Sequence, residues 1–361
     1  MKPLFINSDI EKASTISSDF YTAPDWFELS KEKIFAKTWQ FCMGTEEVQQ
    51  PSSMVPFTLL PGLFDEPLVL VRDEHSSLRC MSNVCTHRGN ILIEKPCTAQ
   101  KIKCGYHGRR FSLCGEMLHM PEFEETKNFP LPKDNLTQIP LGILEPFIFT
   151  SLSPAIPFYE VISEIKERLH WLPLEKMRLD KPRSRDYLVK AHWALYCENY
   201  LEALHIPFVH PSLRQLIDCT TYTTETYRYC NLQLALANPG EASFTIPKES
   251  RDYGKEVAAY YYWIFPNTML NFYPWGCSVN VIKPLAPDLT TVSFLTFVFD
   301  ENKLGQGAGG DLDQVEQEDE AVVEAVQKGI RSRFYNTGRF SPTKEQGTHH
   351  FQRLLCEFLN N

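Results

Sequence analysis

The hydrophobic and polar positions of this chain predict a helical start followed by a strand-rich region. Helical spacing of apolar residues predicts a first helix, with Thr22 or Asp25 as its cap. Its apolar face is predicted to contain Trp26, Leu29, Ile34 and Phe35. Short apolar runs broken by Pro and Gly then predict strands over 54–60, 67–72, 78–84, 101–104, 110–113 and 143–150. The segment 124–140, rich in Pro, Lys and Asp, is predicted to be exposed.

A different pattern follows the Pro-containing stretch 153–157. It predicts helices over 158–169 and from His192 to His205, with a strand over 185–191 before the second. Alternating, aromatic-rich strands are predicted over 222–230, 232–237, 259–265, 269–273, 277–283 and 291–299, and closing helices over 312–332 and 343–359. The fold class is therefore α+β: a helical segment over 1–38, a small antiparallel β domain over 39–152, and a second domain with a curved antiparallel sheet over 153–361.

Composition restricts the class of protein. The chain has 361 residues, 43% of them hydrophobic and 22% charged, as in globular proteins of two domains. A net charge of −9 without a basic stripe argues against nucleic acid and anionic membrane as partners. No apolar run is long enough to span a membrane. Eleven scattered cysteines predict reduced thiols and a cytoplasmic location.

Two short loops carry the most specific chemistry. Cys85-Thr-His87 and Cys104-Gly-Tyr-His107 are separated by sixteen residues, and each offers one thiolate and one imidazole. A structural zinc site usually takes like ligands from each loop, so zinc is the weaker alternative. This arrangement predicts a Rieske [2Fe–2S] cluster with two cysteines on one iron and two histidines on the other. Replacing two thiolates by neutral imidazoles raises the reduction potential, so the cluster can accept an electron from a ferredoxin or flavin donor.

The residues around these loops indicate the subtype. Rieske proteins of respiratory complexes have an additional cysteine after each ligand histidine, and neither Arg88-Gly89 nor Gly108-Arg109 contains one. The loops resemble those of ring-hydroxylating oxygenases and their ferredoxins. Cys97 and Cys114 are predicted to be ordinary packing residues.

A second metal site is predicted after residue 190. Helical spacing puts Glu198, Glu202 and His205 on one face, with Pro207 breaking the helix and His210 on a turn. Two imidazoles and a carboxylate on one face of Fe(II) leave positions open for O2 and substrate. The alternatives are two ordinary histidines, or a hydrolytic zinc site, for which the spacing is wrong. The missing carboxylate belongs to the acidic run Asp311, Asp313, Glu316, Glu318, Asp319 and Glu320, and spacing alone does not choose among them.

The remaining motifs give weaker indications of function. Tyr260, Tyr262, Phe272, Tyr273 and Trp275 are candidates to line a cavity of the curved sheet. Gly305-Gln-Gly307-Ala-Gly-Gly310 matches a dinucleotide fingerprint, but the acids that follow would repel a pyrophosphate, so it is predicted to be a loop. No flavin or nicotinamide is therefore expected on this chain. His349 and His350 are expected to be solvated.

Nearly the whole chain resembles the α subunit of Rieske non-haem iron oxygenases, the aromatic ring-hydroxylating dioxygenase family. The resemblance lies in Cys-Thr-His-Arg-Gly, Cys-Gly-Tyr-His-Gly, Glu-Asn-Tyr-Leu-Glu-Ala-Leu-His-Ile-Pro-Phe-Val-His-Pro and the Glu-Gln-Glu-Asp-Glu segment. It implies a helix-grip (START-like) catalytic domain, on which the 1–38 segment packs, around a mononuclear Fe(II). His205, His210 and Asp319 take the ligand positions, beside a cluster held by Cys85, His87, Cys104 and His107.

The resemblance also implies a role for Glu202 and an assembly. In the family, the acid at this position bridges the iron's histidine to the Rieske histidine of a neighbouring subunit in a homotrimer. Most members acting on aromatic substrates have Asp there, while Glu is similar to members acting on quaternary ammonium compounds. Two departures are Arg109, where Trp is usual, and His192-Trp193, where Asn-Trp is usual.

The implied function is that of a terminal oxygenase. It would use O2 and electrons from NAD(P)H, relayed by a separate reductase or ferredoxin, to hydroxylate, demethylate or cleave a small aromatic or quaternary-ammonium-like substrate. The alternative is a Rieske electron-transfer protein whose second domain only binds a partner.

Overall fold

The computed structural model describes residues 2–310 and 312–361. Its contacts divide the chain into two compact units, one comprising Trp39–Pro154 and the other the residues up to Thr38 together with Ala155–Asn361. Antiparallel sheets and helices occur together, which confirms the α+β class. Among the described residues, no helix is both long enough and apolar enough to cross a membrane.

The Trp39–Pro154 unit consists of short antiparallel strands in three sheets. The strands are β1 Gln40–Gly44, β2 Ser53–Leu59, β3 Glu66–Arg72, β4 Leu78–Ser82, β5 Cys97–Thr98, β6 Ile102–Lys103, β7 Arg110–Phe111, β8 Met117–His119, β9 Gln138–Ile139, β10 Leu141–Leu144 and β11 Phe147–Thr150. The sheets have the orders β1-β11-β10, β5-β2-β3-β4-β9 and β6-β7-β8. The second metal-binding loop joins β6 to β7, and the first follows β4.

One strand prediction in this unit is wrong. The run 143–150 is a hairpin of β10 and β11, in which Leu144 pairs with Phe147 across Glu145-Pro146. Proline has no N–H for the ladder and occurs where pairing stops, which explains the turn. The segment 124–140 is mostly exposed, as predicted, although Leu136 is buried in the core of this unit.

The other unit begins with helices that differ from the predicted one. α1 Asp19–Thr22 and α2 Pro24–Ser30 are separate, and a π-helical turn spans Lys31–Phe35. Pro24 begins α2, as its fixed φ favours, and neither predicted cap is used because the residue before α2 is Ala23, which makes no side-chain cap bond. Trp26, Ile34 and Phe35 are nevertheless buried.

One large antiparallel sheet dominates this unit. Its strands are β12 Arg178–Leu179, β13 Arg185–Val189, β14 Thr223–Thr226, β15 Cys230–Leu236, β16 Val257–Ile264, β17 Thr268–Tyr273, β18 Gly276–Ala286 and β19 Leu289–Val298. The order is β12-β19-β18-β17-β16-β15-β14, and β13 also pairs with β19. The helices are α3 Phe158–Arg168, α4 Trp193–Tyr200, α5 Ile206–Val209, α6 Pro211–Leu216, α7 Leu312–Gly329 and α8 Gln346–Asn360.

The helical prediction around the second metal site is wrong in its boundaries. α4 ends at Tyr200, so Glu202 and His205 lie in the connection that follows it. Pro207 stands in the first turn of α5 and Pro211 begins α6, where a missing N–H costs nothing. His210 lies between these two short helices, on the turn that was predicted.

The two adjacent histidines of α8 also differ from expectation. His349 is 6% exposed and its Nε2 lies 2.7 Å from the carbonyl oxygen of Asn7. Burial lowers the pKa of His350 to about 4. His349 therefore belongs to the packing of α8 and is not solvated, whereas His350 is half-buried.

Candidate functional site

The two cluster loops share one backbone arrangement. In each, the glycine four residues after the cysteine donates its N–H to the cysteine carbonyl, at 3.0 Å for Gly89 and 3.1 Å for Gly108. Both glycines have positive φ, 71° and 75°, which other residues adopt only with strain. The N–H of each cysteine donates to the carbonyl five residues further on, at 2.8 Å in both loops. The glycines therefore turn each loop so that its cysteine and histidine face the same centre.

The four side chains fit a Rieske cluster. Cys85 and Cys104 are each 2% exposed, and the backbone N–H of Tyr106 lies 3.4 Å from Sγ of Cys104, which favours the thiolate. The rings of His87 and His107 are partly exposed, with centroids 4.8 Å apart. Burial and then the neighbouring His107 lower the pKa of His87, which favours the neutral form that ligates metal. Two thiols and two imidazoles converging in this way suit a [2Fe–2S] cluster.

Arg109 links the two loops. Its side chain is 1% exposed, and it donates to Oγ1 of Thr86 at 2.7 Å and to Oδ1 of Asp134 at 2.9 Å. The Arg109 guanidinium also lies 5.2 Å from the ring centroid of Phe129. At the position where Trp is usual, this chain therefore has a buried cation that bonds to the other loop. The departure at residue 109 is visible in the sequence, but this role of Arg109 is not.

The two other cysteines nearby do not join the cluster ligands. Cys97 is exposed in β5, so the prediction that it is a packing residue is wrong. Cys114 is half-buried, and its Sγ lies 4.0 Å from Oδ2 of Asp73.

The second site is formed by His205, His210 and Asp319. Nε2 of His205 and Nε2 of His210 lie 3.5 Å and 3.0 Å from the same oxygen, Oδ1 of Asp319. One ligand atom from each residue lies within 4.8 Å of the others. Burial opposes protonation of His210, but Asp319 and Glu318 outweigh it and raise its pKa, so the site attracts positive charge. The donor set is that of a 2-His-1-carboxylate Fe(II) site.

Each histidine also contacts a second carboxylate. Oε1 of Glu202 lies 2.7 Å from Nδ1 of His205, and Oε2 of Glu318 lies 2.7 Å from Nδ1 of His210. A carboxylate on Nδ1 orients the ring and leaves Nε2 for metal. Glu202 was predicted to support His205, whereas Glu318 was missed because its only signal is its position beside Asp319.

The other acids occupy different environments. Glu316 is 1% exposed and accepts a hydrogen bond from the Tyr196 hydroxyl. Glu320 is half-buried, and burial, then Glu324, raises its pKa. Glu198, expected to share a face with Glu202, instead accepts bonds from the Tyr21 hydroxyl at 2.6 Å and the Gln352 amide at 2.8 Å. Of the acidic run, only Asp319 approaches both histidines among the described residues.

A cavity beside the three ligands is lined by tyrosines. They are Tyr196, Tyr200, Tyr222, Tyr261 and Tyr273. Of the five predicted aromatics only Tyr273 lines it. Tyr261 of β16 pairs with Asn271 of β17, and both line the cavity. The next pair along these strands is Tyr260 with Phe272, and neither of these residues lines it. Because side chains alternate between faces, the prediction chose the wrong face of β16.

The dinucleotide-like glycine segment forms a loop with a 3-10 turn over Gly307–Gly309, as expected. Residue 311, the first of the acids after it, lies outside the described residues.

Comparison with known proteins identifies both units. Residues 38–130 match the Rieske [2Fe-2S] domain, and residues 170–361 match the ring hydroxylating alpha subunit (catalytic domain). The chain is 29% identical over 364 residues to the chloroplastic choline monooxygenase of Arabidopsis thaliana, covering 96% of this chain and 83% of that protein. It is 29% identical over 368 residues to the carnitine monooxygenase oxygenase subunit of Escherichia coli K12, covering 96% and 94%.

A solved structure shares the fold along nearly the whole chain. A quaternary ammonium Rieske monooxygenase superposes with a TM-score of 0.79 at 24% identity, covering 97% of both chains. The match to the catalytic domain alone spans more than half of this chain. This match excludes a protein that only carries electrons. Together with the match to the Rieske domain, it confirms both expected cofactors, the cluster and the mononuclear iron. The chain therefore belongs to the ring-hydroxylating α-subunit family and is a Rieske non-haem iron oxygenase, using O2 and electrons relayed by a separate reductase to oxidise a small organic substrate.

Proposed function

We propose that this oxygenase hydroxylates a small organic cation of the quaternary ammonium type. The observation that carries the proposal is the cavity wall next to His205, His210 and Asp319, where five tyrosines and the buried Glu316 stand together. Tyrosine faces attract ammonium groups, and acids complement their charge. Choline and carnitine, in the names of the related oxygenases, are both quaternary ammonium compounds.

The residues at the iron site have separate tasks in this proposal. His205, His210 and Asp319 would hold the mononuclear iron, which would supply the activation of O2 beside the substrate. Glu202 and Glu318 hold the imidazoles in place through Nδ1. Hydroxylation consumes O2, two electrons and two protons, and gives one C–OH group and one water. When the hydroxylated carbon is bonded to nitrogen, that C–N bond then breaks, and the product separates into a tertiary amine, a carbonyl compound and a proton.

The cluster ligands are Cys85, His87, Cys104 and His107. We infer that Glu202 also connects His205 to a cluster histidine of a second copy of the chain, in a homotrimer. Its Oε1 is 2.7 Å from His205 Nδ1, and its side chain is 14% exposed, so its carboxylate is not fully enclosed. None of the eleven cysteines, all of which lie among the described residues, forms a disulfide, which fits a reducing, cytoplasmic location.

Substrate-dependent O2 uptake tests the substrate class. The holoenzyme, supplied with NADH and a surrogate reductase, is expected to consume O2 with trimethylammonium compounds and to release an oxidised product. A flat bicyclic aromatic hydrocarbon serves as the comparison. Uptake and product formation with the hydrocarbon, and none with any ammonium compound, would contradict the proposal.

Single-turnover kinetics test the part played by Glu202. In Glu202→Gln both metals should remain bound, because the amide is nearly isosteric, while reoxidation of the reduced cluster by O2 and substrate should slow strongly. Reoxidation at the wild-type rate would exclude the bridge. A trimer is expected by sedimentation, and a monomeric active enzyme would exclude the second copy.

A further inference from the structure

The cavity beside the iron ligands contains a buried acid that the iron site does not use. Glu316 lies on α7 and is 1% exposed. Oε2 of Glu316 accepts the Tyr196 hydroxyl, whereas Oε1 has no hydrogen-bond partner among the described residues. Leaving a buried carboxylate oxygen without a partner is costly, and native proteins rarely do so without a reason. Glu316 also lines the cavity, so a molecule bound there would lie beside this residue.

The other charges of the cavity make Glu316 distinctive. Three acids line it, Glu202, Glu316 and Asp319, and the first and last each contact a histidine. No lysine or arginine lines this cavity within the part of the chain that the structure describes. Glu316 is therefore the one cavity acid there with neither a histidine nor a cation beside it.

Burial raises the pKa of Glu316 to about 9, against the smaller opposing effect of the Tyr196 hydrogen bond. A nearby positive charge favours the ionised form of a carboxyl group. A cation bound in the cavity would thus supply the partner that Glu316 lacks. A carboxylate placed beside Glu316 would instead meet another acid and no basic side chain, and its burial there would be unfavourable.

We propose that Glu316 is the counter-ion for the substrate's ammonium group, and that the preferred substrate is an organic cation without a carboxylate. This inference rests on the proposed function and narrows it. It makes Glu316 a residue that determines specificity by touching the substrate, while Tyr196 positions its carboxylate. The tyrosine rings then enclose the methyl groups of the cation.

Equilibrium binding to the anaerobic holoenzyme tests this without turnover. Calorimetry is carried out with a trimethylammonium alcohol, with its uncharged tert-butyl analogue, and with a trimethylammonium carboxylate. Wild type should prefer the alcohol cation to both others. Glu316→Gln should weaken binding of that cation about thirtyfold or more and leave the uncharged analogue unchanged. Glu316→Asp, which keeps the charge, should recover part of the loss.

Glu320→Gln is the matched control, since Glu320 is a half-buried acid on the same helix that does not line the cavity. It should bind all three compounds as wild type does. Unchanged binding of the uncharged analogue and unchanged iron content show that Glu316→Gln remains folded.

Wild-type affinity for the alcohol cation in Glu316→Gln would overturn the inference, and so would a preference of wild type for the carboxylate compound. If ammonium compounds still support O2 uptake in those cases, the proposed function stands and only the role of Glu316 fails. If no ammonium compound binds or supports uptake, the proposed function fails with it.

Discussion

The two metal sites of this protein are built in different ways. All four proposed cluster ligands come from two loops within 23 residues, Cys85 to His107, and each loop is closed by its own backbone bonds. The proposed mononuclear ligands come from distant parts of the chain, with Asp319 109 residues from His210. The first site is local, whereas the second exists only when α7 packs beside the connection after α4.

This difference extends to how the ligands are oriented. In the cluster loops, backbone N–H groups and glycines with positive φ direct the side chains. In the mononuclear site, side chains direct side chains, since Glu202 and Glu318 each hold a histidine. A local site should thus tolerate changes elsewhere, while an assembled site should depend on residues that do not bind metal.

The largest expected effect is that a single substitution removes one metal centre and leaves the other intact. Cys85→Ala should abolish the visible spectrum and acid-labile sulfide of the cluster and retain the mononuclear iron. His210→Ala should do the reverse, because the two donor sets share no residue. Iron and sulfide analysis with electron paramagnetic resonance checks both. A cluster spectrum that survives in Cys85→Ala would contradict the ligand assignment.

Neighbouring residues of α7 provide the second comparison. Asp319→Ala should lose the mononuclear iron, whereas Glu318→Gln should keep it with an affinity about 10- to 100-fold weaker, the usual cost of losing a carboxylate behind a ligand histidine. Iron dissociation measured by chelator competition distinguishes the two. Glu320→Gln is the control and should behave as wild type. Equal iron retention in Glu318→Gln and wild type would show that Glu318 does not orient His210.

The local site could be predicted from the sequence, and the assembled site only in part. The spacing of Cys85, His87, Cys104 and His107 reflects loops that close on themselves, so a pattern suffices. Which acid of this run meets the histidines depends on how α7 is rotated, and spacing left all six acids of 311–320 as candidates until the family resemblance chose Asp319. Glu318 had no signal beyond its position beside Asp319, because its role depends on its distance from His210.

Two wrong predictions, the end of α4 and the cavity face of β16, show the same limit of sequence patterns. Strong helical periodicity up to His205 concealed the end of α4 at Tyr200, since Pro207 can begin a helix as well as break one. The strand β16 was predicted correctly, but its cavity face contains Tyr261 and not Tyr260 or Tyr262. With apolar or aromatic residues on both faces of the strand, alternation does not indicate which side faces the cavity.

Glu198, on the helix α4 that precedes the mononuclear site, should make the free energy of unfolding depend on pH. Burial raises the pKa of Glu198 to about 7 from 4.5, so the folded state holds this proton more tightly than the unfolded state. The contribution of this proton to the free energy of unfolding is full below about pH 4.5 and is lost as pH rises towards 7. Between pH 5 and 7 the free energy of unfolding should fall by about 2 kcal/mol. Glu198→Gln should remove this slope.

Thermal unfolding of wild type and Glu198→Gln across this range checks it. The difference between their melting temperatures should move in favour of the variant as pH rises. Glu357→Gln is the control and should not reproduce that trend, because Glu357 is a half-buried acid of α8 whose pKa is lowered by its bond to Arg228. A constant difference between wild type and Glu198→Gln would mean that Glu198 titrates normally.

The smallest expected effect concerns the charge beside the local site. Arg109 is buried and bonds to Thr86 of the first loop, and Asp134 offsets part of its charge. Removing the cation should make the cluster harder to reduce, so Arg109→Gln should lower its potential by about 40 mV, or ~1 kcal/mol for one electron. Asp134→Asn, which removes the opposing charge, should raise it. Spectroelectrochemical titration measures both. Shifts in the same direction would indicate that loop packing, and not the charge of Arg109, sets the potential, because only an electrostatic effect changes sign between the two partners.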